Sequence, residues 1–162
     1  HNAYFNKFEK VWHHGDYIRI SKNGSMKIFG RSDATLNPGG VRIGTSEIYR
    51  VIEKIDIISD SLVVGQSWKS DQRIILFLKM KEGYILNKSV EEMVKKMIKE
   101  TCSPRHVPEI VLEADEIPYT MNGKKVEIAV KKVIEGKAVD NTDSLQNPKV
   151  LDFYKNISEL TT

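Results

Sequence analysis

SLVVGQSWKSDQRIILFLKM (residues 61–80) is the stretch that decides the fold. Residues 61–64 and 73–80 read as two buried strands, the second a run of Ile, Leu and Phe, with residues 67–72 as the turn between them. On both sides of this pair the apolar period changes to that of a helix. Upstream, Ile48, Val51, Ile52 and Ile55 fall on one helical face, with Thr45 or Ser46 available as the cap. Downstream, Ser89-Val90-Glu91-Glu92 reads as a capping box, and Val90, Met93, Val94, Met97 and Ile98 form a stripe that Pro104 stops. A third strand is predicted over residues 109–112. Val126, Ala129, Val130, Val133 and Ile134 mark another amphipathic helix, ended by Gly136. Residues 140–147 read as polar linker, and Pro148 opens a closing helix that runs to about Ile157. These elements predict an α+β domain, a small mixed sheet flanked by helices.

The first third has another character. Residues 17–29 alternate as a β-hairpin around an Asn23-Gly24 turn, and Gly30-Arg31-Ser32-Asp33 breaks the pattern. A second reversal follows at Asn37-Pro38-Gly39-Gly40, where Pro fixes one φ angle and the glycines permit positive ones. Residues 1–30 carry too little apolar content to fold alone. The chain opens at His1 without an initiator Met, so the hairpin is expected to be the end of a larger domain that is missing here.

Composition narrows the function classes. The 162 residues are 40% apolar, and 25 Lys plus Arg against 22 Asp plus Glu leave a net charge of only +3. That balance speaks against a nucleic-acid wrapper, which needs a concentrated phosphate-neutralising surface. The longest apolar run, Ile74-Ile75-Leu76-Phe77-Leu78, is far shorter than a bilayer span. The lone Cys102 allows neither an internal disulfide nor a cysteine metal cluster, which predicts a reducing, cytoplasmic compartment.

Three short segments carry candidate chemistry. Gly123-Lys124 follows a turn, as in phosphate-binding loops, but the spacing GxxxxGK[ST] fails. Pro118 stands where the first Gly is required and Lys125 where Ser or Thr should meet magnesium. His13 and His14 are adjacent, which on a strand sends them to opposite sides, so no metal site is predicted. Asp16 could accept hydrogen bonds from a sugar diol. Arg31 and Arg42 flank the glycine turn, and guanidinium groups suit phosphate oxygens.

Taken together, WHHGD (12–16), GRSDATLNPGGVRIGTSEIYR (30–50) and SPRHVPEIVLEADEIPYTMNGKKVEIAVKK (103–132) resemble the last three core motifs of adenylate-forming acyl-CoA synthetases. That pattern runs aromatic-x-x-Gly-Asp, then Gly-Arg-x-Asp with Gly-x-Arg further on, then Pro-x-Thr-x-x-Gly-Lys, and all three are present in order. The wording of LNPGGVRIGTSEIYR, PYTMNGKKVE and NPKVLDFY is most similar to the members that activate acetoacetate, ahead of those acting on acetate, propionate or another short-chain acid.

The resemblance implies an ATP-dependent acid–thiol ligase, with ATP (with Mg2+) and CoA as substrates. Its carboxylic acid first becomes an acyl-adenylate, with release of pyrophosphate, and is then passed to CoA. It implies that residues 1–32 end a large adenylation domain and that residues 33–162 form a small mobile domain turning about Asp33. By the same resemblance Asp16, Arg31 and Arg42 are nucleotide-binding, Gly40 and Lys99 face CoA, and Lys124 is the catalytic lysine of adenylation. The partner would be the missing amino-terminal domain, with neither nucleic acid nor membrane. Because the acid and adenine pockets lie in that domain, the fragment alone should be inactive and hold no cofactor tightly. A freestanding α+β binding module is the rival from another class.

Overall fold

The computed structural model describes residues 5, 8–32 and 34–161. Asp16–Ile20 (β1) and Met26–Arg31 (β2) pair antiparallel around Gly24, whose φ of 83° only a residue without Cβ adopts easily. Alternation sets Ile18 opposite Ile28 and Ile20 opposite Met26, and all four side chains are exposed. Among the described residues, none from this hairpin enters either hydrophobic cluster.

The main sheet has three strands in the order β3-β4-β5. Ile58–Trp68 (β3) and Asp71–Met80 (β4) are antiparallel, and Ile110–Glu113 (β5) runs parallel to β4. The β3–β4 hairpin is longer than its sequence predicts. Gly65, Gln66 and Ser67 stay in the ladder, and the turn shrinks to Lys69 and Ser70, with φ of 45° and 68°. The glycine does not break the strand because the space a Cβ would need is occupied by the Gln72 side chain.

Helix positions agree with the apolar period, but two caps and the last helix differ. Thr45–Ile52 (α1) is capped at Gly44, whose N–H donates to Glu47 Oε1 at 3.3 Å, rather than at Thr45 or Ser46. Lys88–Thr101 (α2) is capped by Asn87, which accepts from the Val90 N–H at 3.0 Å, so Ser89 lies inside the helix. Glu127–Ile134 (α3) follows the predicted stripe. Pro148–Tyr154 is a 3-10 helix, a form in which residues three apart share a face; Leu151 and Tyr154 are buried together. Within residues 140–147, read as linker, Leu145 is buried and bridges to Thr120.

Strand alternation sorts the apolar side chains between two faces. Val63, Ile74, Leu76 and Leu78 pack against Ile48, Val51 and Ile52 of α1 and Val94 and Ile98 of α2. Leu62, Val64, Ile75 and Phe77 pack against Val130 of α3 and against Leu151 and Tyr154. The result is a three-layer α+β domain. Phe77 and Tyr154 meet edge-to-face at 4.8 Å, and the Tyr154 hydroxyl donates to the Glu116 carbonyl at 2.8 Å.

The chain is expected to unfold in one cooperative urea transition. Phe77→Ala should cost it about 3–5 kcal/mol, seen as a lower midpoint at unchanged slope.

Candidate functional site

Residues 119–125 form a tight reversal between β5 and α3. Tyr119 and Lys125 pair across an antiparallel bridge. Inside it the Thr120 N–H donates to Lys124 O at 2.8 Å, the Gly123 N–H to Thr120 O at 2.8 Å, and the Lys124 N–H to Thr120 Oγ1 at 3.1 Å. Gly123 turns the corner with φ of 71°. Residues 144–146 hold the outside, where the Met121 N–H donates to Ser144 O and the Gln146 N–H to Tyr119 O.

The two adjacent lysines have opposite fates. Lys125 turns inward, its Nζ 2.7 Å from Asp60 Oδ1, 2.5 Å from Ser61 O and 4.4 Å from the centre of the Tyr49 ring. Lys124 is exposed, and its ammonium makes no hydrogen bond or ion pair among the described residues. In extended backbone neighbouring side chains point to opposite sides, so fastening one lysine projects the other.

Around Lys125 lies a polar group that sequence reasoning missed. Asp60 Oδ2 accepts from the Tyr119 hydroxyl at 2.8 Å. The Tyr49 hydroxyl donates to Glu127 Oε1 at 3.0 Å and accepts from the Val63 N–H at 3.1 Å. Burial raises the Tyr49 hydroxyl well above its ordinary value, and Glu127 adds to the rise. Burial and then the Asp60 hydrogen bond do the same for Tyr119. Both therefore stay protonated and donate. No pattern in the sequence marks Asp60; its only local sign is a register irregularity between Ile58 and Asp60 that appears on strand pairing.

Lys124 and Arg31 line one open cleft of about 360 Å³, with Thr120, Lys125 and Lys132 on its walls. Arg31 stands opposite Asp16 in the β1–β2 register and donates through Nη1 to His14 O at 2.9 Å. Asp16 is paired with His14 Nδ1. Gly15, with φ of 90°, lets the Arg31 guanidinium pass, since a Cβ there would sit 3.1 Å from it. Arg42 lies outside this cleft, its guanidinium 5.1 Å from the centre of the Tyr17 ring in a separate groove.

Gly40 and Lys99 belong to other surfaces. Gly40 ends the 3-10 turn Pro38–Gly40 with φ of 75°, and a Cβ there would meet nothing within 4 Å. That turn is tied to the start of β4, where the Gly39 N–H reaches the Asp71 carboxylate at 3.0 Å and the Asn37 N–H reaches Gln72 Oε1 at 2.6 Å. Lys99 is exposed in the last turn of α2, the helix that covers the sheet face opposite α3. Asp33 lies outside the described residues. Among the described residues no three His, Cys, Asp or Glu side chains are grouped to hold a metal, and no helix is long and apolar enough to cross a membrane.

No model of a known protein family matches the sequence. Individual proteins do. The chain is 49% identical over 160 residues to an acetoacetyl-CoA synthetase of Gallus gallus and 51% identical over 160 residues to one of Xenopus tropicalis. It is 44% identical over 158 residues to an acetoacetyl-coenzyme A synthetase of Rhizobium meliloti. Each match takes in 98% of this chain and 24% of the relative, so the chain spans about a quarter of the length of the curated relatives it matches. The solved acetoacetyl-CoA synthetase from Streptomyces lividans superposes with a TM-score of 0.87 at 36% identity, over 100% of this chain and 25% of that one. The anthranilate CoA ligase AuaEII shares the fold at 20% identity, with a TM-score of 0.66 over 76% of this chain and 24% of that one. In sequence and in fold, then, the chain matches a quarter-length segment of acetoacetyl-CoA synthetases.

The opposite roles of the two lysines can be read from stability alone. Lys124→Ala should change the unfolding free energy by less than about 0.5 kcal/mol, as at an ordinary surface position. Lys125→Met should cost about 1–3 kcal/mol, because it strips the Asp60 carboxylate of its ammonium donor. Urea denaturation of the two variants checks both.

Proposed function

We propose that this chain is the small carboxy-terminal domain, with the last hairpin of the large domain, of an adenylate-forming acyl-CoA synthetase that converts acetoacetate, ATP and CoA to acetoacetyl-CoA, AMP and pyrophosphate. The observation that carries the reading is Lys124: an ammonium unpaired among the described residues, at the tip of a rigid turn, on a cleft shared with Arg31. The match of nearly the whole chain to acetoacetyl-CoA synthetases supports acetoacetate as the acid.

Two bond exchanges make up the reaction. A carboxylate oxygen of the acid attacks the α-phosphorus of ATP, which enters as its magnesium complex, and pyrophosphate leaves. The CoA sulfur, having lost its proton, then attacks the acyl carbon, and AMP leaves. Negative charge accumulates in the first step, where a carboxylate approaches a phosphate. A compact ammonium directed at both stabilises that transition state more than the separated reactants. Arg31 and Asp16, facing each other across the hairpin, suit a ribose, with guanidinium donors on one side and carboxylate acceptors on the other.

The CoA-facing role falls to the other side of the domain, at Gly40 and Lys99. Open space beside the Gly40 Cα supports passage of a slender pantetheine arm, and Lys99 supplies a cation for the CoA phosphates. Because the two sets of residues face different ways, the domain has to turn between steps, with Asp33 as the proposed pivot. The large domain of the same polypeptide is the proposed partner. A reducing cytoplasm is the proposed setting, supported by the single Cys102.

Measured in the complete polypeptide, Lys124→Ala should slow acetoacetate-dependent pyrophosphate exchange on the order of 10²–10³-fold. Thioester formation from supplied acetoacetyl-adenylate should be unchanged. Full exchange activity in that variant would overturn the reading.

Gly40→Leu should give the converse, with exchange retained and thioester formation lost. Equal losses in both assays would remove Gly40 from the CoA path. A panel of short acids in the exchange assay tests acetoacetate against acetate and propionate.

A further inference from the structure

Both feet of the Lys124 turn end on one carboxylate. Tyr119 and Lys125 are the bridged pair at its base, and as cross-strand partners they direct their side chains to the same side. There Asp60 receives the Tyr119 hydroxyl on Oδ2 at 2.8 Å and the Lys125 ammonium on Oδ1 at 2.7 Å. Asp60 is itself held, since the Ser61 N–H donates to Oδ1 at 2.7 Å. It sits on β3, which pairs in continuous register with β4 from Asp60 to Trp68, so its position is that of the sheet. We infer that Asp60, through Tyr119 and Lys125, is the positioning residue of adenylation, clamping the turn so that Lys124 is held at a fixed place above the cleft.

The inference rests on the proposed role of Lys124 and adds the device that aims it. A lysine side chain has four rotatable carbons, and a mobile turn beneath it would spread the ammonium over several ångströms. Misplacement by about 1 Å is enough to cost on the order of 10²-fold in rate. Charge bookkeeping points the same way. An unpaired carboxylate beneath the turn would attract the Lys124 ammonium downward and repel a nucleotide phosphate. Lys125 neutralises it, and in doing so becomes unavailable to substrate. Asp60 and Lys125 are each 23% exposed, so the pair is partly shielded from water and holds more firmly than a fully solvated one.

The test uses the complete polypeptide and two assays, acetoacetate-dependent pyrophosphate exchange and thioester formation from supplied acetoacetyl-adenylate. Asp60→Asn and Tyr119→Phe should each lower the exchange kcat on the order of 10–100-fold, with KM for ATP within about twofold and thioester formation at the wild-type rate. Lys125→Met should behave likewise, and Lys125→Arg, which keeps an ion pair, should recover most of the lost exchange. If Asp60→Asn fails to fold, Tyr119→Phe, which removes a single hydroxyl, decides by the same criteria. Wild-type exchange in Tyr119→Phe and any folded Asp60→Asn overturns the clamp, as does an equal fall in both assays, which marks a merely structural role. Lys124→Ala runs alongside: if it slows exchange on the order of 10²–10³-fold while the clamp variants exchange at the wild-type rate, only the clamp falls. If Lys124→Ala itself retains exchange, the functional reading falls and takes the clamp with it.

Discussion

From Arg73 to Leu78 every residue of β4 is buried, and this one strand is what the rest of the molecule is built around. It lies between β3 and β5, so both of its backbone edges are hydrogen-bonded within the sheet. Its side chains alternate into two separate apolar clusters, one under α1 and α2, the other under α3 and residues 148–154. Each large apolar side chain so buried contributes about 1.5–3 kcal/mol. At the polar end of the strand, Arg73 is buried with its guanidinium 3.8 Å from the centre of the Trp68 ring. It donates to Gln66 Oε1 at 2.7 Å and to Leu160 O at 2.8 Å. Gln66 Nε2 donates to the same carbonyl at 3.0 Å and the Leu160 side chain is buried, so Arg73 and Gln66 together tie the last described residues to the sheet.

A strand buried on both faces makes a domain with two outer surfaces that cannot reach each other. The turn carrying Lys124 leads into α3 on one side, and Lys99 rides on α2 on the other. A residue on either surface serves a common substrate only if the whole domain reorients, because the core between them is close-packed and does not deform. Within the proposed reaction this is a reason for two half-reactions to use two orientations. Arg42 is engaged with Tyr17 of the hairpin rather than with the Lys124 cleft.

Electrostatics within residues 119–125 depends on which charge is already satisfied. Sequence places two identical ammonium groups side by side, and only one is available. Lys125 has its donors committed to Asp60 and the Ser61 carbonyl, and the Tyr49 ring lies against it. Tyr49 in turn is fixed by Glu127 and the Val63 N–H, so the aromatic wall behind Lys125 is held by both α3 and β3. A network with every polar member satisfied is rigid, and that rigidity beneath Lys124 is what its proposed role requires.

Much of this was legible in the sequence. Periodicity alone determined the three helices, the three main strands, the hairpin at residues 17–29 and the α+β class, because burial of one face imposes a repeat that survives in any context. Motif order and spacing determined the resemblance to adenylate-forming synthetases and singled out Lys124 over Lys125. Element ends were less legible. The periodicity ends the first strand at residue 64, whereas the ladder runs on to Trp68, and Asn87 rather than Ser89 caps α2. What only the tertiary structure decided is which groups share a charge. Asp60 stands 65 residues before Lys125, and the contact exists only because β3 and the turn before α3 pack side by side. Local sequence records the periodicity of burial, which each segment carries in itself. It carries no record of a pairing made across the core, since such a pairing depends on two distant segments being folded at once.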